Sequence, residues 1–331
     1  MAKYHVYGIG NALVDQEFEV TDAFFKSNNI EKGMMTLIEE DQQHALLDAL
    51  TTEFGVKKRA GGGSAANTIF AAQYLGANTF YSCNVANDET GDFYVKDLTE
   101  AGIDTNLGHD RVDGVTGKCM VMITPDAERT MNTYLGITAN FGVEHINQDA
   151  LKDSEYLYIE GYLVTSDTAR PAAIECKKMA ENHNVKTAMT FSDPAMVQFF
   201  KDGILEMLGT GVDLLFCNEE EAKLVADTED FDTAKEHLKS LAKSFAITLG
   251  SKGALVFDGE NEILIEPHSV SAVDSNGAGD NFAGAFMYGI TNGLSFEQAG
   301  KLASKISAEV VSRFGPRLDA ELYNQFKAQV V

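Results

Sequence analysis

The chain has 331 residues, 44% of them hydrophobic and 23% charged, a composition typical of a globular protein with a large core. Its formal net charge of −24 argues against a nucleic-acid partner and against binding to an anionic membrane. No apolar run reaches the roughly 20 residues that a membrane helix needs, and the first residues lead directly into a strand pattern, so we expect neither a membrane anchor nor a signal peptide.

In the first half of the chain, short strands alternate irregularly with helices. The predicted helices cover residues 22–29, 41–50, 68–75 and 91–101. The predicted strands cover residues 4–10, 34–38, 79–86, 117–124 and 130–134. Because the β segments at 14–38 and 115–135 do not alternate with long helices, we expect them to form a separate small sheet, a lid over the rest of the protein.

From residue 155 onward, strands and helices alternate regularly. The predicted strands are 156–160, 185–191, 212–217 and 245–249, and the predicted helices are 167–183, 195–208, 218–226 and 233–243. This alternation predicts an α/β fold of Rossmann-like type, with a mostly parallel sheet covered by helices on both faces. We divide the chain into a large α/β domain, residues 1–13, 61–112 and 140–331, and a small lid domain, about 14–60 and 113–139.

The cysteines and histidines indicate neither a disulfide framework nor a zinc site. The four cysteines are far apart, without CxxC spacing, and the seven histidines are scattered. We therefore expect reduced thiols and a cytoplasmic protein.

Two glycine patterns partly match the dinucleotide-binding fingerprint, which leaves a nicotinamide-dependent oxidoreductase as an alternative. Gly8-x-Gly10 lacks the third glycine, and the residues after it have an extended pattern. Gly61-x-Gly63 opens a helical segment, but residues 54–59 are too polar for the buried strand that the fingerprint requires upstream. Backbone N–H groups at this glycine run suit a polyhydroxylated ligand better, and close helix packing is the structural alternative.

The stretch Asp274–Asp280, Asp-Ser-Asn-Gly-Ala-Gly-Asp, predicts a tight turn that opens a helix. A helix N-terminus offers free N–H groups and a positive dipole end, which suit a phosphate. Asp280 stands in the first turn, where the helix dipole keeps a carboxylate ionised and able to accept a proton. The alternative is a carboxylate that only stabilises the helix start.

Two further segments follow predicted strands at the edge where α/β sheets bind ligands. Asn218 and Glu221 lie three residues apart at a helix start, so they share a face and can orient a hydrated Mg²⁺. An acidic helix start is the structural alternative. Residues 248–253, Thr-Leu-Gly-Ser-Lys-Gly, form a turn between two strands, and the helix over 296–313 is either structural or a wall of a base pocket.

Together these segments resemble the ribokinase/PfkB-type sugar and nucleoside kinases. The Gly-Gly-Ser-x-x-Asn element that ends at Asn67, Asn218-x-x-Glu221, residues 248–253 and Asp274-x-x-Gly-Ala-Gly-Asp280 occur in the family's order and approximate spacing. Residues 11–15 and Asn276 before Gly-Ala-Gly are most similar to the adenosine-kinase branch. Ser275 replaces the usual threonine and keeps its hydroxyl.

The resemblance implies a role for each matching position. Asp280 would be the catalytic base, and the N–H groups of Gly277, Ala278 and Gly279 would hold the transferred phosphoryl group. Mg²⁺ would be held through water by Asn218 and Glu221. The ATP site would include Asn218, Thr248, Gly250, Gly253, Gly277 and Gly279. The hydroxyl groups of the acceptor would be bound by Asn11, Asp15, Gly62, Gly63 and Asn67.

Two further implied roles concern ions. Asp274 and the carbonyl of Asn276 would belong to a monovalent-cation site, occupied by K⁺ in many relatives. Arg129, on the lid, would clamp the phosphate groups.

The expected function is an ATP- and Mg²⁺-dependent kinase that transfers the γ-phosphoryl group to the primary hydroxyl of an adenosine-like nucleoside or a related sugar. The alternatives are a ribokinase- or fructokinase-like sugar kinase, the oxidoreductase above, and a catalytically silent sugar-binding protein. The expected partner is a small-molecule substrate, with no nucleic acid or membrane. A monomer and a homodimer joined through the lids both remain open.

Overall fold

A computed structural model describes residues 2–108, 110–126 and 128–328. Residues 1, 109, 127 and 329–331 lie outside the described residues, so the predicted domain ranges are not described in full. The strands are β1 (Tyr4–Ile9), β2 (Leu13–Glu19), β3 (Met35–Leu37), β4 (Lys58–Gly62), β5 (Thr79–Ser82), β6 (Asp104–Thr105), β7 (Thr116–Ile123), β8 (Arg129–Gly136), β9 (Ser154–Ile159), β10 (Lys186–Thr190), β11 (Val212–Asn218), β12 (Ala242–Thr248), β13 (Ala254–Phe257) and β14 (Glu262–Ile265). The helices are α1 (Asp22–Asn28), α2 (Glu40–Glu53), α3 (Ser64–Leu75), α4 (Glu89–Glu100), α5 (Gln148–Lys152), α6 (Ala169–Asn182), α7 (Pro194–Leu208), α8 (Glu219–Val225), α9 (Phe231–Leu241), α10 (Ala278–Thr291), α11 (Phe296–Val311) and α12 (Ala320–Lys327).

The larger sheet confirms the predicted Rossmann-like fold. Its strand order is β14-β13-β12-β11-β10-β9-β1-β5-β6, parallel from β12 to β6, with β13 and β14 antiparallel at one edge. Strands covered on both faces are apolar at successive positions. In β1, Val6 joins the core on one face, whereas Tyr7 and Ile9 join the core on the other. Among the described residues, no helix is long and apolar enough to cross a membrane.

Helix α10 is buried over most of its length because neighbouring elements surround it. Its residues 281–289 are all buried. Phe286 lies 5.7 Å from Phe216 of β11 and 5.3 Å from Phe296 of α11, measured between ring centroids, with both contacts edge-to-face. Gly284 faces the carbonyl of Thr68 in α3, at a spot with no room for a Cβ atom. The packing therefore fixes where α10 begins.

The smaller sheet has the order β3-β8-β7-β2-β4. Its outer face packs on α1 and α2 through an apolar cluster that includes Phe18, Phe24, Leu50 and Met120. Its inner face faces the large sheet and carries Asp15 and Met131, which line the central cavity. The small sheet expected from the irregular β segments is therefore present.

The interpretation of the glycine run at residues 61–63 as a helix start was partly wrong. Gly61 and Gly62 belong to β4, paired with Val14 and Leu13 of β2, and α3 begins at Ser64 instead of Thr68. The upstream segment is polar because β4 is an edge strand of the small sheet, which needs no buried apolar sequence. The first glycine pattern, Gly8-x-Gly10, is followed by β2 and not by a helix. Leu13, Gly61 and Gly62 thus lie in the small sheet, just outside the predicted lid range; the domain division itself stays a prediction.

Truncating Phe286 to alanine should lower the free energy of unfolding by about 3–5 kcal/mol, because the fully buried ring leaves a cavity between α10, α11 and β11. Chemical denaturation monitored by circular dichroism measures the change. The matched control is Phe199→Ala in α7, where the ring is 66% exposed, and here the loss should stay within about 0.5 kcal/mol. Equal losses in the two variants would contradict the packing described for α10.

Candidate active site

The candidate site is a cavity of about 430 Å³ between the carboxyl ends of the parallel strands and the inner face of the small sheet. A second cavity of about 480 Å³ adjoins it. The two share six lining residues: Thr248, Gly250, Ser275, Ala278, Gly279 and Phe282. Two ligands placed in the two cavities would therefore meet at the start of α10.

Asp280 is partly buried in the first cavity, in the first turn of α10 and next to the residues that the two cavities share. Its Oδ1 accepts a hydrogen bond from the Ser64 hydroxyl at 2.7 Å, and its Oδ2 accepts one from the Asn67 side-chain amide at 2.9 Å. Burial raises the pKa of Asp280, although these two hydrogen bonds and the guanidinium groups of Arg129 and Arg317 act in the opposite direction. The expectation that the helix N-terminus keeps this pKa low was wrong, because desolvation is the larger effect.

The turn before α10 presents backbone N–H groups to the cavities. Gly277 has a left-handed conformation, φ 71°, and packs so closely on the Pro316 carbonyl that a Cβ atom would collide with it. Among the described residues, no acceptor binds the N–H of Gly277 or Gly279, whereas the N–H of Ala278 donates to the Ser275 carbonyl at 3.3 Å. Two of the three predicted amides are therefore free for an anion, and the third is already engaged.

The predicted acceptor-binding residues have different surroundings. Asp15 is 6% exposed and lines the cavity, and in the part of the chain that the structure covers no group donates to its carboxylate. Burial, followed by repulsion from Glu17, raises the pKa of Asp15 to about 7. Gly62 lies directly against this carboxylate. Asp15 is thus a hydrogen-bond acceptor available to a ligand.

Two further acceptor-binding candidates, Asn11 and Gly63, make close contacts within the protein. The side-chain amide of Asn11 donates to Glu160 at 3.0 Å. Gly63 adopts φ 105° and packs against the Asn11 carbonyl, which leaves no space for a side chain. These residues shape the floor of the cavity.

Sequence reasoning missed Glu160, which directly follows β9. Its Oε1 accepts hydrogen bonds from the backbone and side-chain amides of Asn11, and its Oε2 accepts one from the Ala65 backbone at 2.7 Å. Burial raises the pKa of Glu160 to about 7 despite these donors. Glu160 could have been predicted from its position at the carboxyl end of a strand, because ligands bind at that edge of a parallel sheet and the same argument identified Asn218.

Asn218 and Glu221 form a reciprocal cap at the start of α8. The backbone N–H of Asn218 donates to Glu221 Oε2, and the backbone N–H of Glu221 donates to Asn218 Oδ1, both at 2.8 Å. Both residues also line the cavity. Burial raises the pKa of Glu221 to about 8. The acidic helix start is therefore real, and among the described residues only Oε2 of the Glu221 carboxylate accepts a hydrogen bond.

Asp274 and Asn276 fix the turn in place. The Asp274 carboxylate accepts the backbone N–H of Asn276 at 2.9 Å and that of Gly315 at 3.0 Å, and it is 1% exposed. The Asn276 side-chain oxygen accepts a hydrogen bond from Arg129 of β8 at 2.8 Å. Arg129 thus connects the small sheet to the turn that carries the free N–H groups.

The second cavity is lined by the turn after β12. Thr248 ends β12, Gly250 begins a short 3₁₀ turn, and Gly253 adopts φ 91° against the Ile265 carbonyl. All three line this cavity, as do Ser304 and Ser307 of α11. Helix α11 is therefore a wall of the cavity as well as part of the core.

The side of the first cavity that the small sheet forms, its roof, is mostly apolar, although Asp15, Arg129 and Thr133 also line it. The small sheet and its connections contribute five apolar side chains: Leu13, Met35, Leu37, Met131 and Leu135. Tyr162, after β9, lines the same space from the large sheet. The cavity therefore combines a polar floor with an apolar roof.

This fold and cavity define a ribokinase-like sugar or nucleoside kinase. Residues 30–322 match the model of the pfkB family of carbohydrate kinases, so the chain belongs to that family and is a phosphotransferase that acts on a hydroxyl group. The family implies ATP as the phosphoryl donor. The adenosine kinase of Saccharomyces cerevisiae is 27% identical, over 95% of this chain and 96% of that protein.

Solved structures agree with this assignment. The adenosine kinase from Sinorhizobium meliloti superposes with a TM-score of 0.92 at 35% identity, covering 99% of this chain and 100% of the other. A probable sugar kinase from Rhizobium etli gives a TM-score of 0.92 at 32% identity and covers the whole of both chains. The likeness therefore extends over both sheets.

Glu17, two residues beyond Asp15 on the same face of β2, is a buried carboxyl group with an unusual pKa. It is 2% exposed, and its Oε1 has no hydrogen-bond partner among the described residues. Burial raises the pKa of Glu17 to about 7; Lys58 opposes the rise and Asp274 adds to it. Because its folded pKa lies above its unfolded value, Glu17 reduces stability progressively as the pH rises from its unfolded pKa toward 7.

Glu17→Gln should therefore raise the melting temperature more at pH 8 than at pH 5, since glutamine cannot ionise. Differential scanning fluorimetry across this range measures the change. The control is Glu19→Gln on the same strand, where the side chain is 55% exposed and no pH-dependent gain is expected. A gain for Glu17→Gln that is independent of pH would show that Glu17 does not titrate in this range.

Proposed function

We propose that this protein is an ATP- and Mg²⁺-dependent kinase that phosphorylates the primary hydroxyl of an adenosine-like nucleoside. One observation carries the proposal: Asp280 lines the first cavity where it adjoins the second, beside the N–H groups of Gly277 and Gly279, which bind no acceptor among the described residues. A base and an anion site at one point are what phosphoryl transfer between two bound ligands requires.

In the proposed reaction, Asp280 accepts the proton of the acceptor hydroxyl as the hydroxyl oxygen attacks the γ-phosphorus of ATP. The bond from the γ-phosphorus to the β–γ bridging oxygen breaks, and ADP leaves. Ser64 and Asn67 each donate to one Asp280 oxygen and so fix the carboxylate plane. The raised pKa of Asp280 makes it a better proton acceptor once the hydroxyl is bound. The free N–H groups of Gly277 and Gly279 stabilise charge on the phosphoryl oxygens during transfer.

The donor, ATP, would occupy the second cavity, with its phosphates at the shared residues. Thr248, Gly250 and Gly253 line that cavity beside α11, which fits a nucleotide laid along the turn after β12. Its γ-phosphate would then reach the N-terminus of α10, where the helix dipole favours negative charge. Arg129, already directed at Asn276, is placed to pair with phosphate oxygens when the lid closes.

The acceptor would lie in the first cavity. The Asp15 carboxylate, to which no described residue donates a hydrogen bond, suits the hydroxyl groups of a ribose. The five apolar side chains above it suit a planar base, which a free sugar lacks. This apolar roof is the observation that favours a nucleoside, and it accords with the adenosine kinases among the relatives.

The residues present fit Mg²⁺. Asn218 and Glu221 supply oxygen atoms at the cavity wall, and Mg²⁺ prefers oxygen ligands while keeping several of its waters. Bound there, Mg²⁺ would neutralise phosphate charge, and it would also offset the burial that raises the pKa of Glu221. The fit to K⁺ is poorer, since both Asp274 oxygens already accept backbone N–H groups. No step of the proposed reaction depends on K⁺.

Asp280→Asn should lower kcat by at least about 100-fold while the protein stays folded, because the amide cannot accept the proton. ADP release in the presence of adenosine and MgATP measures turnover, and circular dichroism verifies the fold. The control is Asp149→Asn, a change at a fully exposed carboxylate. Retention of more than a few per cent of kcat would eliminate Asp280 as the base.

A panel of acceptors should separate the nucleoside kinase from its alternatives. With MgATP, ADP release should be fastest with adenosine, slower with inosine, and weakest with ribose and fructose, because only nucleosides fill the apolar roof. Each acceptor is tested with and without K⁺, and without an acceptor as the control. Faster turnover with ribose or fructose would favour the sugar-kinase alternative, and no ADP release with any acceptor would favour a silent binding protein.

A further inference from the structure

Arg317 lies in the C-terminal turn after α11 and is held by three partners. Its Nη1 donates to Asp97 of α4 at 2.9 Å, its Nε donates to Asn67 Oδ1 at 2.9 Å, and its guanidinium lies 3.4 Å from the centroid of the Phe70 ring. The side chain is only 10% exposed. A guanidinium held on two edges and one face has little freedom to move.

The contact with Asn67 decides which way the Asn67 amide faces. A side-chain amide has an oxygen that accepts and a nitrogen that donates. Because Arg317 can only donate, the Asn67 oxygen must face it, and the amide nitrogen then faces Asp280 Oδ2. Without Arg317, the amide could turn over and place its oxygen against the Asp280 carboxylate.

We propose that Arg317 is a positioning residue for Asp280, acting through the side-chain amide of Asn67. The inference rests on the proposed role of Asp280 as the base. Asp97 in turn orients Arg317, and the same Asp97 oxygen accepts the backbone N–H of Gly61 at the end of β4. The alignment of the base is therefore linked to the strand where the small sheet joins α3.

The turn that carries Arg317 is hydrogen-bonded to both ends of the turn before α10, the predicted phosphate-binding segment. Gly315 donates to Asp274 before this segment, and the Asn281 side chain, just after it, donates to the Pro316 carbonyl at 2.7 Å. The Tyr323 hydroxyl of α12 donates to the Asn281 side-chain oxygen. The backbone position of Arg317 is thus fixed relative to Asp280 itself.

The first test is Arg317→Met, which keeps much of the side chain's length and removes its donors and charge. We expect kcat to fall by about 10- to 100-fold, because a misaligned reacting group costs factors of this size. The KM values for ATP and adenosine should change by less than about threefold, since Arg317 touches neither cavity. Arg317→Lys keeps the charge without the planar fork and should recover only part of the loss.

The matched control is Arg111→Met. Arg111 is also 10% exposed and also pairs with an aspartate of α4, Asp92, but it lines neither cavity. It should reproduce the loss of stability without the loss of kcat. Equal kcat values for the two variants would overturn the inference.

A double-mutant cycle tests the route through Asn67. If Arg317 acts through Asn67, Arg317→Met should have almost no further effect on kcat in an Asn67→Ala background. Fully additive losses would contradict the proposed route. If Arg317→Met does not fold, Asp97→Asn is the alternative variant, because it weakens the contact that holds Arg317 on the side away from the cavity. Asp97→Asn should lower kcat by a smaller factor at unchanged KM. An unchanged kcat would count against the inference.

The pH profile adds a readout that a purely structural role would not move. The charged groups acting on Asp280 are Arg317, Arg129 of β8, Asp15 of β2, Glu160 after β9 and Glu221 of α8. Loss of the Arg317 cation removes one of two positive charges, so the acidic limb of kcat/KM should move to higher pH in Arg317→Met and stay in place in Arg111→Met.

The outcomes also separate this inference from the proposed function. Full activity in Asp280→Asn would remove both. An inactive Asp280→Asn together with a fully active Arg317→Met would leave the proposed base intact and remove only the positioning role.

Discussion

The geometry of the site depends on the contact between the first turns of two helices, α3 and α10. The N-terminal turns of α3 and α10 meet closely enough for Ser64 and Asn67 to donate to the two Asp280 oxygens, and for the Thr68 hydroxyl to donate to the Asp280 carbonyl at 3.1 Å. Gly284 makes this approach possible, since it lies against the α3 backbone where a Cβ atom would collide. A packing constraint one turn into α10 thereby sets the orientation of the proposed base.

The second constraint is electrostatic. Desolvation raises the pKa values of five carboxyl groups in or near the cavity, whereas the guanidinium groups of Arg129 and Arg317 lower the pKa of Asp280. The five groups are Asp15, Glu17, Glu160, Glu221 and Asp280. In a protein of net charge −24, an anionic nucleotide gains nothing from the overall field. Backbone N–H groups and a bound cation must supply the attraction locally.

The parts of the fold and site that could be predicted are those encoded in short stretches of sequence. Strand–helix alternation after residue 155 predicted the parallel sheet. Gly277 and Asp280 marked a helix start, which the structure places at Ala278, four residues after Asp274. Local patterns failed where long-range contacts decide. The segment containing Gly61 reads as a helix start because its pairing with β2 lies more than 40 residues away. Arg317 carries no local signal at all, since its partner Asn67 is 250 residues distant. The strand predicted over 245–249 is β12 at 242–248, so it starts three residues earlier and ends one residue earlier, because helix and strand patterns merge there.

The hydrogen bonds of Asn67 indicate which residues would select the acceptor. The resemblance assigns Asn67 to substrate binding, yet its oxygen accepts from Arg317 and one of its two amide hydrogens is committed to Asp280. A single N–H remains for a ligand, and it lies beside the proposed base, where the primary hydroxyl of a bound acceptor would react. That contact cannot distinguish one acceptor from another. Discrimination must then arise farther from the reacting oxygen, at Asp15, which can accept from ribose hydroxyls, and at the apolar roof of the small sheet. Under the proposed function, the reacting hydroxyl would thus be held apart from the side chains that select the acceptor.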